Sequence, residues 1–265
     1  MENFSRLKLL IVSYYFPPYN KVGGRRWAKH FKYLKKMGVD CHVITANYPG
    51  NSPWDKDIAG LEKNITRLNL SSTRTPYYQR KLPNGIMEKI RWKISYWMWK
   101  QANKNPQRYH DLSSTHTEVF RSAALDHVRK NGTSHVILSG GPFHYASVLC
   151  SLKKEFSSVF TLLDYRDYWE DFFSGMNYMQ VEDGKRLQEE VIRNTDMILS
   201  PNEEMRDHFE KTYSKKSYLL PHCYDEDDMK DIPRADTPRN EIKIIYGGAF
   251  YSHLEKYIDT LKALL

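Results

Sequence analysis

Cysteine is scarce in this chain: Cys41, Cys150 and Cys223 are its three, far apart, and none belongs to a C-x-x-C pair. That argues against a disulfide framework and against a zinc site, and leaves reduced, buried thiols as the expectation. Also missing is any apolar run of the ~18 to 20 residues needed to cross a bilayer. The start, MENFSRLKLLIVSYYF, enters a strand-like run without a small-residue cleavage site, so a cytoplasmic protein is expected. There is no low-complexity tract, and with 40% hydrophobic and 27% charged residues over 265 positions the composition is that of a globular chain of one large domain or one and a half ordinary ones. No RNP string, zinc finger or helix-turn-helix pattern accompanies the net charge of +8, so nucleic acid is not the expected partner. Anionic lipid surfaces and phosphate-bearing small molecules remain.

What is present is alternation of strand and helix. Segment 7–13 (LKLLIVS) is almost wholly apolar and bounded by the turn-rich FPPYNKVGG, as for a central parallel strand buried on both faces. Trp27, Phe31 and Leu34 then recur at helical spacing, and Met37-Gly38 supplies a stop, predicting a helix over 25–37. Segment 39–45 (VDCHVIT) completes a strand, helix, strand unit of the kind a parallel crossover needs. Further strands are predicted over 65–70, 135–139, 159–164, 197–200 and 218–220, and helices over 115–130, 143–155, 182–194 and 202–212. The fold class is therefore α/β, a doubly wound, mostly parallel Rossmann-like sheet over residues 1–220. Residues 221–241 are polar and proline-containing, a linker or long connecting loop. Residues 242–265 repeat the strand, glycine turn and helix of the start, as the opening of a second Rossmann-like domain at which the chain reads as cut off.

Three loops carry candidate chemistry. In FPPYNKVGGRR, Gly23 and Gly24 let backbone approach a ligand at a helix N-terminus that favours anions, with Lys21, Arg25 and Arg26 adding positive charge. A diphosphate would suit Gly23, Gly24 and Arg25, although the glycines could equally just make the turn. The pattern is not G-x-G-x-x-G, which disfavours a nicotinamide or flavin dinucleotide. In SGGPFHYAS, Gly141 and His144 follow a buried strand at the sheet's functional edge, and His144 is either a base or polar contact or a plain capping histidine. In DYRDYWED, Asp164, Arg166, Asp167 and Trp169 could bind sugar hydroxyls and stack on a sugar face, or Arg166 could pair internally with Asp164 or Asp167 and only order the loop. His144 and Asp167 are the catalytic candidates. Arg166 between the acids opposes a metal, and no metal or cofactor is expected.

Segment 85–104 (GIMEKIRWKISYWMWKQANK) sets Ile86, Ile90, Ile94, Trp97 and Met98 on one helical face and Lys89, Arg91, Lys93 and Lys100 elsewhere. It reads as a core-facing helix with a solvated basic face, or as an interfacial helix in contact with the inner membrane surface. The acids Glu189-Glu190 and 225–228 read as solvated charge.

Taken in order, YYFPPYNKVGGRRWAKHFKYLKKMGVDCHVIT, ILSGGPFHYASVLCSLKKEF, DYRDYWED, NTDMILSPNEEMRDHF, LLPHCYDEDD and IIYGGAFYS resemble the family 4 glycosyltransferases of bacterial capsule, lipopolysaccharide and exopolysaccharide assembly. The resemblance implies the N-terminal, acceptor-side domain of a two-domain GT-B enzyme. Such an enzyme transfers a sugar, with retention and without a metal, from a nucleotide-sugar donor to a saccharide or lipid-linked acceptor. It implies that Gly23-Gly24 face the donor diphosphate while residues 139–147 and 164–169 line the acceptor side, and that stabilising the leaving diphosphate matters more than any enzyme nucleophile. The family's basic pair early in the second domain and its E-x7-E segment have no counterpart before Leu265, and Ala249-Phe250 stand where a basic residue is usual. The chain by itself is accordingly expected to bind sugar nucleotide poorly and to turn over negligibly. The competing expectation is a non-catalytic acceptor-binding or scaffold protein of a polysaccharide assembly complex.

Overall fold

The computed structural model describes residues 7–20, 22–48, 50–70, 85–102 and 105–230, the side chains of Ser95, Trp99, Lys100 and Ala102 excepted. The chain divides into two compact units, Met1–Cys223 and Tyr224–Leu265. Lys21, most of the expected linker and the whole of the expected second domain, 242–265, lie outside the described residues. Within the second unit, Asp225 caps a single turn at Glu226–Asp228 by accepting from the Asp227 N–H at 3.0 Å.

The first unit is built on β1 (Lys8–Ser13), β2 (Asp40–Ala46), β3 (Ile65–Leu68), β4 (His135–Ser139), β5 (Phe160–Asp164), β6 (Met197–Ser200) and β7 (Ser217–Leu219). They form one seven-stranded sheet in the order β3-β2-β1-β4-β5-β6-β7, every neighbouring pair parallel. The helices are α1 (Val22–Lys36), α2 (Asp55–Ile58), α3 (Ile86–Ala102), α4 (Thr117–Asn131), α5 (Val148–Glu155), α6 (Tyr178–Arg193) and α7 (Glu203–Tyr213). Alternation along β1 makes the two cores. Leu9 and Ile11 point to α1, meeting Trp27, Ala28 and Phe31. Leu10 and Val12 point the other way, to a larger core with Phe120 of α4, Leu149 of α5, Val191 of α6 and Phe209 of α7. Successive strand side chains take opposite faces, so a strand covered on both sides must be apolar on both, as the Leu9–Val12 stretch LLIV is.

Element ends follow local chemistry. Asn177 accepts from the Gln180 N–H while the Gln180 side chain accepts from the Asn177 N–H, and this capping box starts α6 four residues before its predicted start. Gly132, at φ 62°, takes the left-handed position that ends α4. The predicted helix over 143–155 is a tight turn at His144–Ser147 followed by α5. Two expectations fail. Cys41 is buried, but Cys150 is only partly so and Cys223 is exposed. The core-facing reading of segment 85–104 does not hold either, since Ile86, Ile90, Ile94, Trp97 and Met98 are all exposed.

Candidate functional site

The strand order reverses direction between β1 and β4. In doubly wound sheets, ligands bind in the crevice outside the carboxyl ends of the strands at that point. Here the loop into α1 leaves β1, residues 140–147 leave β4, and residues 165–173 leave the neighbouring β5.

The structure starts α1 at Val22, so Gly23 and Gly24 lie in its first turn and not ahead of it. First-turn N–H groups have no intrahelical carbonyl to bond, so the end remains suited to an anion. The lack of side chains is taken up by the chain itself. A Cβ on Gly24 would lie 2.8 Å from the Tyr19 carbonyl oxygen, and one on Gly23 would lie 3.0 Å from the Tyr15 ring and 3.1 Å from the Arg166 guanidinium. Arg25 sits half-buried beside them.

Asp164 is not a free sugar contact. It is fully buried, and its carboxylate accepts from Arg26 Nε at 3.0 Å and Nη2 at 2.9 Å and from Trp27 Nε1 at 2.8 Å. Arg26 continues to the carbonyls of Leu220 (2.7 Å) and Pro221 (3.3 Å), tying α1, β5 and the end of the sheet together. Arg166 pairs with neither aspartate in the way the sequence suggested. Its guanidinium donates to the carbonyls of Gly140 (2.8 Å and 3.0 Å), Gly141 (2.5 Å) and Gly23 (3.3 Å), so one side chain holds the β1 and β4 loops side by side. Trp169 is fully buried and stacks on Phe143 at 4.8 Å, which removes it as a sugar platform. Asp167 is exposed, with its Oδ2 3.6 Å from where a Cβ on Gly141 would stand.

His144 is positioned by a residue that sequence reasoning passed over. Asp111 Oδ2 accepts from the N–H groups of Phe143 (2.6 Å) and His144 (2.8 Å) and from the Tyr109 hydroxyl (2.9 Å), while Oδ1 accepts from the Ser113 N–H and hydroxyl. The local signal was D-L-S-S ahead of a helix, an Asx-type turn in which the Ser114 hydroxyl accepts from the Asp111 N–H. Thr117 donates its single hydroxyl proton to the Ser113 carbonyl at 3.1 Å, so at 2.9 Å from His144 Nδ1 it serves as acceptor. That arrangement puts the ring proton on Nδ1 and leaves Nε2 as the lone-pair side. Burial lowers the His144 pKa and favours the neutral ring, with Asp111 opposing it.

His144 lines a cavity of about 1090 Å³ together with Tyr109, His110, Tyr178, Asp183 and Glu190. Carboxylates, imidazoles and phenol rings in one hollow can bind a polyol, accepting from its hydroxyls and covering its apolar faces. Glu190 is exposed, as expected of a solvated charge, and also borders this lining, and Asp183 is fixed by accepting from the Tyr109 N–H at 2.8 Å. The expected residues thus divide. Gly23, Gly24, Gly141 and Arg166 form one knot of backbone, Asp164 and Trp169 are internal, and His144 faces the cavity.

No family model matches this chain, and no curated protein matches it. Among solved structures it is similar to a sucrose-phosphate synthase from Thermosynechococcus elongatus, with a TM-score of 0.49 and 13% identity over 82% of this chain and 48% of that one. It is also similar to the N-terminal domain of the Candida albicans trehalose-6-phosphate phosphatase, with a TM-score of 0.49 and 12% identity over 97% of this chain and 54% of that one. A third is a Glycyrrhiza uralensis UGT complexed with glycyrrhetinic acid 3-O-monoglucuronide, at a TM-score of 0.44 and 11% identity over 80% and 48%. The chain spans about half the length of these structures.

Proposed function

We propose that this chain is the acceptor-side part of a retaining glycosyltransferase, moving a sugar from a nucleotide-sugar donor to a hydroxyl of a saccharide or lipid-linked acceptor in cell-surface polysaccharide assembly. The observation that carries this reading is the meeting of the α1 N-terminus and the β4 loop under Arg166 at the sheet's switch point, the same β4 loop carrying His144 into the lining of the polar cavity. The donor diphosphate is taken by the first-turn N–H groups at Gly23 and Gly24 with Arg25, where the helix end offsets the charge that grows on the leaving group. The acceptor lies in the cavity with one hydroxyl donating to His144 Nε2, while Asp167, exposed on the β5 loop and outside the cavity lining, takes a hydroxyl of the acceptor that extends beyond it. His144 orients the incoming oxygen, and no covalent enzyme intermediate is required.

Saturation-transfer NMR with the full chain and a panel of hexoses and oligosaccharides tests this. Signals on pyranose protons are expected, and they should be lost in His144→Ala with the circular dichroism spectrum unchanged. A folded chain that gives no signal on any saccharide, or one that binds equally well in His144→Ala, refutes the reading.

A further inference from the structure

Helix α3 leaves one face of apolar side chains uncovered. It makes no substantial packing contact with another described element. Ile86, Met87, Ile90, Ile94, Trp97 and Met98 are between 40% and 78% exposed. At about 100° per residue these six side chains fall within one arc of roughly 120°. Lys89 and Lys93 stand on one border of the arc and Arg91 on the other, all three exposed. Soluble proteins seldom leave a contiguous apolar stripe of this kind uncovered.

The charges on the borders choose the occupant. Two-fold pairing with a second copy would set Lys89, Lys93 and Arg91 against their own equivalents, and Glu88 is the helix's one acid. An anionic lipid surface neutralises the same cations. It takes the apolar arc at the headgroup boundary, lets the lysine stems lie along it, and suits an indole such as that of Trp97. No described helix is long and apolar enough to cross a membrane, so α3 would lie in the interface plane. We propose that α3 docks the chain on anionic lipid bilayers through Ile86, Ile90, Ile94 and Trp97, with Lys89, Arg91 and Lys93 contacting headgroup phosphates. The docking stands on α3 alone and does not depend on the glycosyltransferase reading. Its consequence for that reading is that the helix runs toward Asn105, Gln107 and Arg108, which line the cavity.

Cosedimentation of the full chain with vesicles of pure phosphatidylcholine, and of phosphatidylcholine mixed equally with phosphatidylglycerol, tests the proposal. Binding is expected only to the mixed vesicles and should weaken with salt. The triple variant Lys89→Gln, Arg91→Gln, Lys93→Gln should bind on the order of 100-fold more weakly. Ile90→Asn with Trp97→Ala should lose binding while leaving the fold intact, since both positions are exposed. A control triple, Lys63→Gln, Lys154→Gln, Lys211→Gln, should bind as the parent does. No preference for phosphatidylglycerol, an equal loss in the control triple, or full binding by the Ile90/Trp97 variant would each overturn it. So would a stable dimer that the Ile90/Trp97 variant abolishes, with no vesicle binding by the parent.

Discussion

Replacing Asp164 by Asn changes one oxygen for an NH₂ group and almost no volume, so its effect isolates the charge. In the native chain the carboxylate is 0% exposed and takes three hydrogen bonds of 2.8 to 3.0 Å from Arg26 and Trp27. The amide turns one of those acceptors into a donor that faces a donor, and it leaves the guanidinium without a counter-charge. Removing one member of a buried pair costs about 3 to 5 kcal/mol. The Leu220 and Pro221 carbonyls still accept from Arg26, which places the cost near the lower end, about 3 kcal/mol. For a chain of this size each kcal/mol moves the melting midpoint by roughly 2 to 4 °C, so Asp164→Asn should melt roughly 6 to 12 °C lower by circular dichroism. The double variant Arg26→Met, Asp164→Leu removes both charges and should recover most of that loss. A single variant within about 1 kcal/mol of the parent that has nonetheless lost saccharide binding would refute the reasoning, since Asp164 would then be a ligand contact and not an internal bolt.

Three further outcomes follow from the same geometry. Gly24→Ala places a methyl group 2.8 Å from the Tyr19 carbonyl and should cost about 1 to 3 kcal/mol in urea unfolding; a neutral result would mean that the β1 loop yields freely. Asp111→Ala releases the Phe143 and His144 N–H groups together, so it should abolish saccharide signals as His144→Ala does and also lower stability by about 2 kcal/mol, whereas His144→Ala should leave stability nearly unchanged. Burial, and His127 with its ring 4.5 Å away, push the His42 pKa down to about 4, below the unfolded value of about 6.5. The unfolded chain therefore takes the proton first. The contribution is intact above about pH 6.5 and is lost as pH falls toward 4; for this half-exposed ring it amounts to on the order of 1 kcal/mol. Stability curves of His42→Gln should be flatter across that window, and an unchanged acid slope would count against it.

The sheet was legible because its inner strands are buried on both faces. Such strands need unbroken apolar runs, and LKLLIVS, HVILS and MILS stand out for that reason, as do the glycine and capping signals between them. The site was legible as a place and not as a set of roles. DYRDYWED was visible as a cluster of polar and aromatic groups at a strand end, yet nothing local says whether a side chain there turns outward to solvent or inward to neighbouring backbone. Asp164 is the last residue of β5 and turns inward because Arg26 and Trp27 reach it from 138 and 137 residues away in the chain. The cavity was invisible for a similar reason, since it joins the loop before α4 to most of the length of α6, segments that share no pattern.

Burial sorts these polar groups by task. A carboxylate that meets four donors at full burial, the Ser139 hydroxyl at 3.5 Å being the fourth, has no lone pair to offer a substrate, and a guanidinium that spends four of its five N–H groups on the carbonyls of Gly23, Gly140 and Gly141 has no two-pronged edge for a phosphate. Both were attractive as binding residues on residue type alone, and both fix the positions of the backbone that does the binding. The groups left with capacity are the α1 N–H groups, His144 Nε2 and the exposed Asp167, which belong to three different strand-end loops. Contacts drawn from three loops work together only if the loops hold register; the Arg26–Asp164 pair and Arg166 lock junctions between them, and Asp111 fixes the β4 loop to the segment before α4. Conservative changes at these internal bolts should therefore weaken binding through loop displacement and stability together, whereas changes at His144 or Asp167 should weaken binding alone. Measuring both quantities on one set of variants separates the two kinds of residue.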